Sequence, residues 1–85
     1  MYALILTLCS FASCNGYVIA TDTEWNTPQQ CDVELVRESD DFAQVWGQSL
    51  KGMHKYLDRF NVQEDVQTLV DYDYTCEKIA QDDMP

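Results

Sequence analysis

Positive charge is scarce in this chain, and the first twenty-one residues have no charged side chain of either sign. No Lys or Arg precedes Arg37, and the whole chain holds five of them against fifteen Asp and Glu, a net charge of −10. A field of that sign disfavours nucleic acid and anionic lipid and favours basic protein surfaces. His54 is the lone histidine and no Cys-x-x-Cys pair occurs, which argues against a structural zinc site. A phosphate loop, a Ser/His/Asp set, a Cys/His pair at recognisable spacing and an EF-hand loop are also missing. No metal and no cofactor is therefore expected. A domain this small seldom encloses the pocket of roughly 300 Å3 or more that a substrate needs. The expectation is a binding protein rather than an enzyme.

What is present makes one small domain, residues 1–85, without internal repeats or a long linker. A chain of 85 residues buries only about 60–65% of its unfolded surface, so its core is marginal. Two Trp, five Tyr and three Phe supply much of the apolar area it has. Four Cys (Cys9, Cys14, Cys31 and Cys76) allow two disulfides in three connectivities. In a reducing compartment they would instead be free, mostly buried thiols, and that is the expectation for a cytosolic chain.

The uncharged opening can be read in two ways. Met1 to Cys14 has an apolar stretch ending in small residues, like a secretory signal, and Phe11-Ala12-Ser13-Cys14 approximates a lipoprotein cleavage box. Against this, no basic residue precedes the run, and it is shorter than the ~20 residues that span a bilayer. The other reading is a β-hairpin over about residues 2–22. Asn15-Gly16 suits a type I′ turn, because both residues tolerate positive φ. A turn there pairs Cys14 with Tyr17, Phe11 with Ala20 and Leu8 with Thr23. Tyr2 to Thr7 then overhang as an apolar edge that a third strand, a helix or a second protein must cover. Leu4 and Leu6 on that overhang are the candidate self-association residues, giving a homodimer.

The remainder, about residues 28–81, reads as mainly helical. Thr27-Pro28-Gln29-Gln30 is a helix start with a capping box, running to about Glu38 with Cys31, Leu35 and Val36 as its buried stripe. Ser39-Asp40-Asp41 caps a second helix, or kinks a continuous one, and Phe42, Val45, Trp46, Ser49, Leu50, Met53, Leu57 and Phe60 recur at helical spacing to its end. Gly47 and Gly52 each weaken it by about 1 kcal/mol. Asn61 to Glu64 repeats the capping pattern before Val62, Val66, Leu69 and Val70. From Tyr72 the signal divides. Tyr72, Tyr74 and Cys76 alternate with Asp71, Asp73 and Thr75 as in a strand, while Glu77 to Gln81 favours helix, and helix is the expectation. The tail Asp82-Asp83-Met84-Pro85 is expected to fray. The fold class expected is α+β, an N-terminal antiparallel β-hairpin packed on two or three helices.

Two charged constellations stand out. Lys51, His54, Lys55 and Arg59 share a helix face and hold three of the five basic side chains; a solvated surface balanced by Asp58 accounts for them. Asp71, Asp73, Glu77, Asp82 and Asp83 concentrate acid near the C-terminus, with Tyr72 and Tyr74 among them. Carboxylates so placed can occupy a basic nucleic-acid groove on another protein, with Tyr as apolar anchors. A solvated acidic face with two core tyrosines is the plainer alternative. The candidate partner contacts are Asp71, Tyr72, Asp73, Tyr74 and Glu77.

Tyr2-Ala3-Leu4-Ile5-Leu6-Thr7-Leu8-Cys9, then Cys14, Tyr17-Val18-Ile19, Thr23-Glu24 and Gln29-Gln30-Cys31, resemble a family of short uncharacterised proteins from enterobacteria and their prophages. The resemblance covers roughly residues 1–40 and transfers no site residue. It implies a phage or prophage accessory protein in the bacterial host cytoplasm, binding and inhibiting a host nucleic-acid-handling or defence protein, with DNA mimicry as the expected means. The competing expectations are a self-associating accessory protein and an exported, disulfide-bonded or lipid-anchored one.

Overall fold

In a computed structural model, residues 1–79 are described; Asp82, Asp83 and the expected fraying of the tail lie outside them. The architecture is α+β: a three-stranded antiparallel sheet with two helices on one face. β1 (Tyr2–Ser10) and β2 (Cys14–Asp22) form the hairpin. Helices α1 (Pro28–Ala43) and α2 (Leu50–Asp58) follow, then a single 3-10 turn at Val66–Thr68, and β3 (Leu69–Lys78) completes the chain's described elements. The sheet order is β2-β1-β3, so the uncharged first strand is the central one.

The hairpin turn is not at Asn15-Gly16. Cys9 pairs with Cys14, Leu8 with Asn15 and Tyr2 with Asp22, and the chain reverses through Phe11 to Ser13. The Ser10 hydroxyl accepts the amides of Ala12 and Ser13, which holds that reversal in place. Moving the turn lets β1 pair along its whole length, and ladder bonds plus a disulfide outweigh the local preference of Asn-Gly. One irregularity remains between Leu4 and Ile5, where β2 carries Ile19 as an extra residue.

The stretch after Leu69 is strand and not helix. β3 pairs with β1 from Tyr2↔Lys78 to Cys9↔Asp71 without a break in register. An apolar strand with an open edge must be covered, and β3 covers it; this tertiary demand overrides the helix preference of Glu77-Lys78. The overhang that made Leu4 and Leu6 self-association candidates therefore does not exist. β1 is paired on both sides, and both leucines are 0% exposed.

Alternation along the strands sorts the side chains. Leu4, Leu6 and Leu8 of β1, with Tyr74 of β3, face the helices and pack with Cys31, Phe42, Met53, Tyr56, Leu57, Val62 and Val66. Phe42 is the aromatic hub, stacked on Tyr56 at 4.7 Å and edge-on to Tyr72 at 5.0 Å and Trp46 at 5.4 Å. Ile5 and Val18 point to the other face and lie outside this cluster, with Val18 58% exposed.

Helix α1 is longer than expected because it runs on through Ser39 to Ala43. The Gln30 side chain accepts the amides of Asn26 and Thr27, the reach-back half of the expected box. Ser39 passes through the middle of α1, and the break comes at residues 44–49, where Gly47 takes φ 72°. Ser49 then caps α2 by accepting the Gly52 amide at 2.9 Å. Gly52 is required by proximity, since a Cβ there would lie 2.9 Å from Val45 Cγ1. Asn61 to Glu64 start no helix; Asn61 has φ 59° and Asp65 caps the short 3-10 turn.

All four cysteines are paired, which corrects the expectation of free thiols. Cys9–Cys14 bridges the hairpin and Cys31–Cys76 ties α1 to β3. The second bridge depends on residue 76 lying in a strand beneath the start of α1, so the helix reading of that segment hid it.

Candidate functional site

β3 divides the five proposed contact residues between two environments. Asp71, Asp73 and Glu77 point to the sheet face that lacks helices, and all three are exposed. Tyr72 and Tyr74 point the other way. Tyr74 is buried and Tyr72 half-buried against Phe42 and Trp46. The acids and the tyrosines therefore do not form one surface, and the anchoring role expected of Tyr72 and Tyr74 is replaced by a core role. The cause is the two-residue period of a strand. Alternate residues of an extended strand sit about 6.8 Å apart. Asp71, Asp73 and Glu77, with Thr75 between the last two, thus form a straight acidic row. None of the three makes a salt bridge among the described residues. Beside the row on β1 lie Thr7, paired with Asp73, and Ile5, paired with Thr75.

Beneath the opposite face lies a polar cluster that sequence reasoning missed. Glu38 is 3% exposed. Its carboxylate is 3.4 Å from the Tyr56 hydroxyl, which lies 2.8 Å from the Tyr74 hydroxyl. The Arg59 guanidinium sits 3.9 Å from Glu38 and over the rings of Tyr56 and Phe60 at 5.5 and 5.2 Å. Burial pushes the Tyr56 phenol up to about 12. Burial and the Tyr56 hydrogen bond raise that of Tyr74 as well. Both phenols thus stay neutral at ordinary pH and serve as hydrogen-bonding groups. The signal was available: Cys31, Leu35, Glu38 and Phe42 recur at steps of four, three and four once α1 is allowed to continue. Glu38 has two polar neighbours, Tyr56 and Arg59, and Tyr56 links it to Tyr74, so loss of the Tyr56 hydroxyl would leave that of Tyr74 without its partner.

The basic helix face is dispersed by comparison. Arg59 is drawn onto Glu38, and His54 lies 3.3 Å from Asp58. Lys55 borders an open hollow of about 350 Å3 with Asp41, Val45, Gly52, Tyr56 and Arg59. A second hollow of about 500 Å3 is lined by His54, Asp58, Gln63, Glu64 and Asp65. Glu64 is also the partner of the Tyr17 hydroxyl, and that hydrogen bond raises the Tyr17 pKa. Among the described residues no group of three or more His, Cys, Asp or Glu side chains is placed to hold a metal ion. Nor is any described helix long and apolar enough to cross a membrane. Comparison with known protein families, characterised proteins and solved structures finds no match.

Proposed function

We propose that this protein is a small acidic binding module that docks on a basic protein surface through the outward row of β3, without chemistry of its own. The observation that carries the reading is the placement of Asp71, Asp73 and Glu77 on an open sheet face, unneutralised by any cation within salt-bridge distance among the described residues. Oppositely charged surfaces steer such encounters and select among partners. The net charge of −10 makes nucleic acid itself an unfavourable ligand and a nucleic-acid-binding protein a favourable one. With the prophage resemblance, the partner class is a nucleic-acid-handling or defence protein of a bacterial host, met in the host cytoplasm and inhibited by occupation of its basic groove. Charge reversal by Asp71→Lys, Asp73→Lys and Glu77→Lys together should abolish capture of such a partner and leave the thermal unfolding midpoint within a few degrees of the parent. Unchanged capture would sink the reading.

The paired cysteines favour a second reading, in which the same surface acts outside a reducing compartment. Intact mass with and without thiol alkylation, on protein from its own cells, separates the two. Four alkylated cysteines without prior reduction support the cytoplasm, and none supports export.

A further inference from the structure

β3 is an edge strand, and its bonding pattern identifies which backbone groups face outward. In an antiparallel ladder, residues alternate between bonding one neighbour and facing the other way. The Ile79 amide donates to the Met1 carbonyl at 2.9 Å, and the Ser10 amide donates to the Ser13 carbonyl at 2.8 Å. Both fix the same parity. Odd-numbered residues of β1 turn towards β3, and Asp71, Asp73, Thr75 and Glu77 answer them. The amides and carbonyls of Tyr72, Tyr74, Cys76 and Lys78 accordingly point away from β1, to an edge that no other strand occupies among the described residues. The Tyr72 amide takes up the Asp71 carboxylate at 2.8 Å, as an outward-facing donor would. From Asp71 to Lys78 this edge has no proline, and its pairing to β1 is unbroken. The edge of β2, in contrast, is interrupted at Ile19. Of the common ways of blocking an edge, this stretch of β3 has no proline, bulge or extreme shortness; its one device is charge, at Asp71, Asp73, Glu77 and Lys78, and three of those four charges are negative.

The geometry points to strand addition at this edge by an extended, basic segment of the partner, and this rests on the acidic-surface reading above. An added strand would lie about 4.8 Å from β3. Every second side chain of it would stand on the open face beside Asp71, Asp73, Thr75 and Glu77, and the intervening ones beside Tyr72, Tyr74 and Cys76. The fitting segment therefore alternates Lys or Arg with apolar residues. Backbone bonds would supply attachment and the alternating pockets would supply selection. A second copy of this chain is the poorer occupant. Antiparallel β3–β3 pairing centred on Tyr74 sets Asp71 against Glu77, and like charges across a ladder destabilise it.

The test uses the oxidised full-length chain and two synthetic peptides of roughly nine residues, a usual strand length. One alternates Lys with Val and Thr; the other has the same composition with its Lys residues grouped. The alternating peptide should bind about tenfold tighter or more. It should also slow hydrogen exchange at the Tyr74, Cys76 and Lys78 amides. Equal binding of the two peptides with exchange unchanged overturns strand addition and leaves the acidic-surface reading standing. Failure of both to bind overturns both. Undiminished binding and protection in the chain carrying Asp71→Lys, Asp73→Lys and Glu77→Lys would show that the edge works without charge selection, and would overturn the basic-segment assignment.

Discussion

The two faces of the sheet are built from the same three strands and obey different rules. On the helix face Leu4, Leu6, Leu8 and Tyr74 are sealed under Phe42, Met53 and Leu57, and the polar atoms that enter are gathered into the Glu38–Tyr56–Tyr74 cluster. On the open face Ile5 and Thr7 lie beside the row of Asp71, Asp73 and Glu77, with Val18 one strand further on, all outside the core cluster. Immediate neighbours along β3 therefore differ in kind: Tyr74 is inside and Asp73 is outside. The contrast teaches that stability and recognition are separable here at single-residue spacing.

That separation can be broken or sharpened by measurement. The largest effect should come from Cys31→Ala with Cys76→Ala. Their bridge closes a sequence separation of 45, worth about 4 kcal/mol by the loop-entropy relation. Removing Cys9 and Cys14, which enclose a separation of only 5, should cost about 2 kcal/mol by the same relation. Denaturant unfolding of the two double variants compares them directly, and equal losses would contradict the account. Next, Leu6→Ala should cost about 3 kcal/mol, as for other fully buried leucines, whereas Ile5→Ala on the other face should cost well under half as much. A smaller effect is expected from alkali. Tyr56 ionises near 10 when unfolded but near 12 when folded, so its protonated form is the one the fold favours. Its contribution is complete below pH 10 and is lost as the pH rises towards 12, by about 2–3 kcal/mol in all. In Tyr56→Phe the loss over that window should shrink, with the share due to Tyr74 remaining. The smallest expected change is in the stability of Asp73→Lys, within about 0.5 kcal/mol of the parent, as for most exposed substitutions.

The open face shows in the sequence only as the alternation over Asp71 to Cys76, and the helix preference of Glu77 to Gln81 outweighs it in the expectation, so the strand is not read. The class of fold and the first hairpin followed from composition and β-branched content. What could not be read was set by contacts between distant parts of the chain. Asn15-Gly16 carries a strong local turn signal, yet the turn lies at Phe11 to Ser13 because β1 gains more from full pairing. Residues 69–78 carry mixed signals, and only the need of β1 for a second neighbour decides between them. Both disulfides follow from those two choices, so reading them requires the topology first, while the burial of Glu38 follows from α1 continuing through Ser39. Tyr72 and Tyr74 were placed correctly beside the acids in sequence and incorrectly in space, since the strand that aligns Asp71, Asp73 and Glu77 necessarily turns the tyrosines inward.

The position of β1 has a consequence for biosynthesis. Among the described elements the central strand is paired with the one farthest from it in sequence: Tyr2 waits for Lys78. During translation the apolar ribbon can have β2 alongside it, but its other margin stays bare until β3 has left the ribosome. Such distant pairing slows folding and lengthens exposure to misassembly. The sealing of the sheet thus waits for β3, and ribosome-stalled chains ending before Leu69 should be captured by chaperones where chains with β3 exposed outside the tunnel are not.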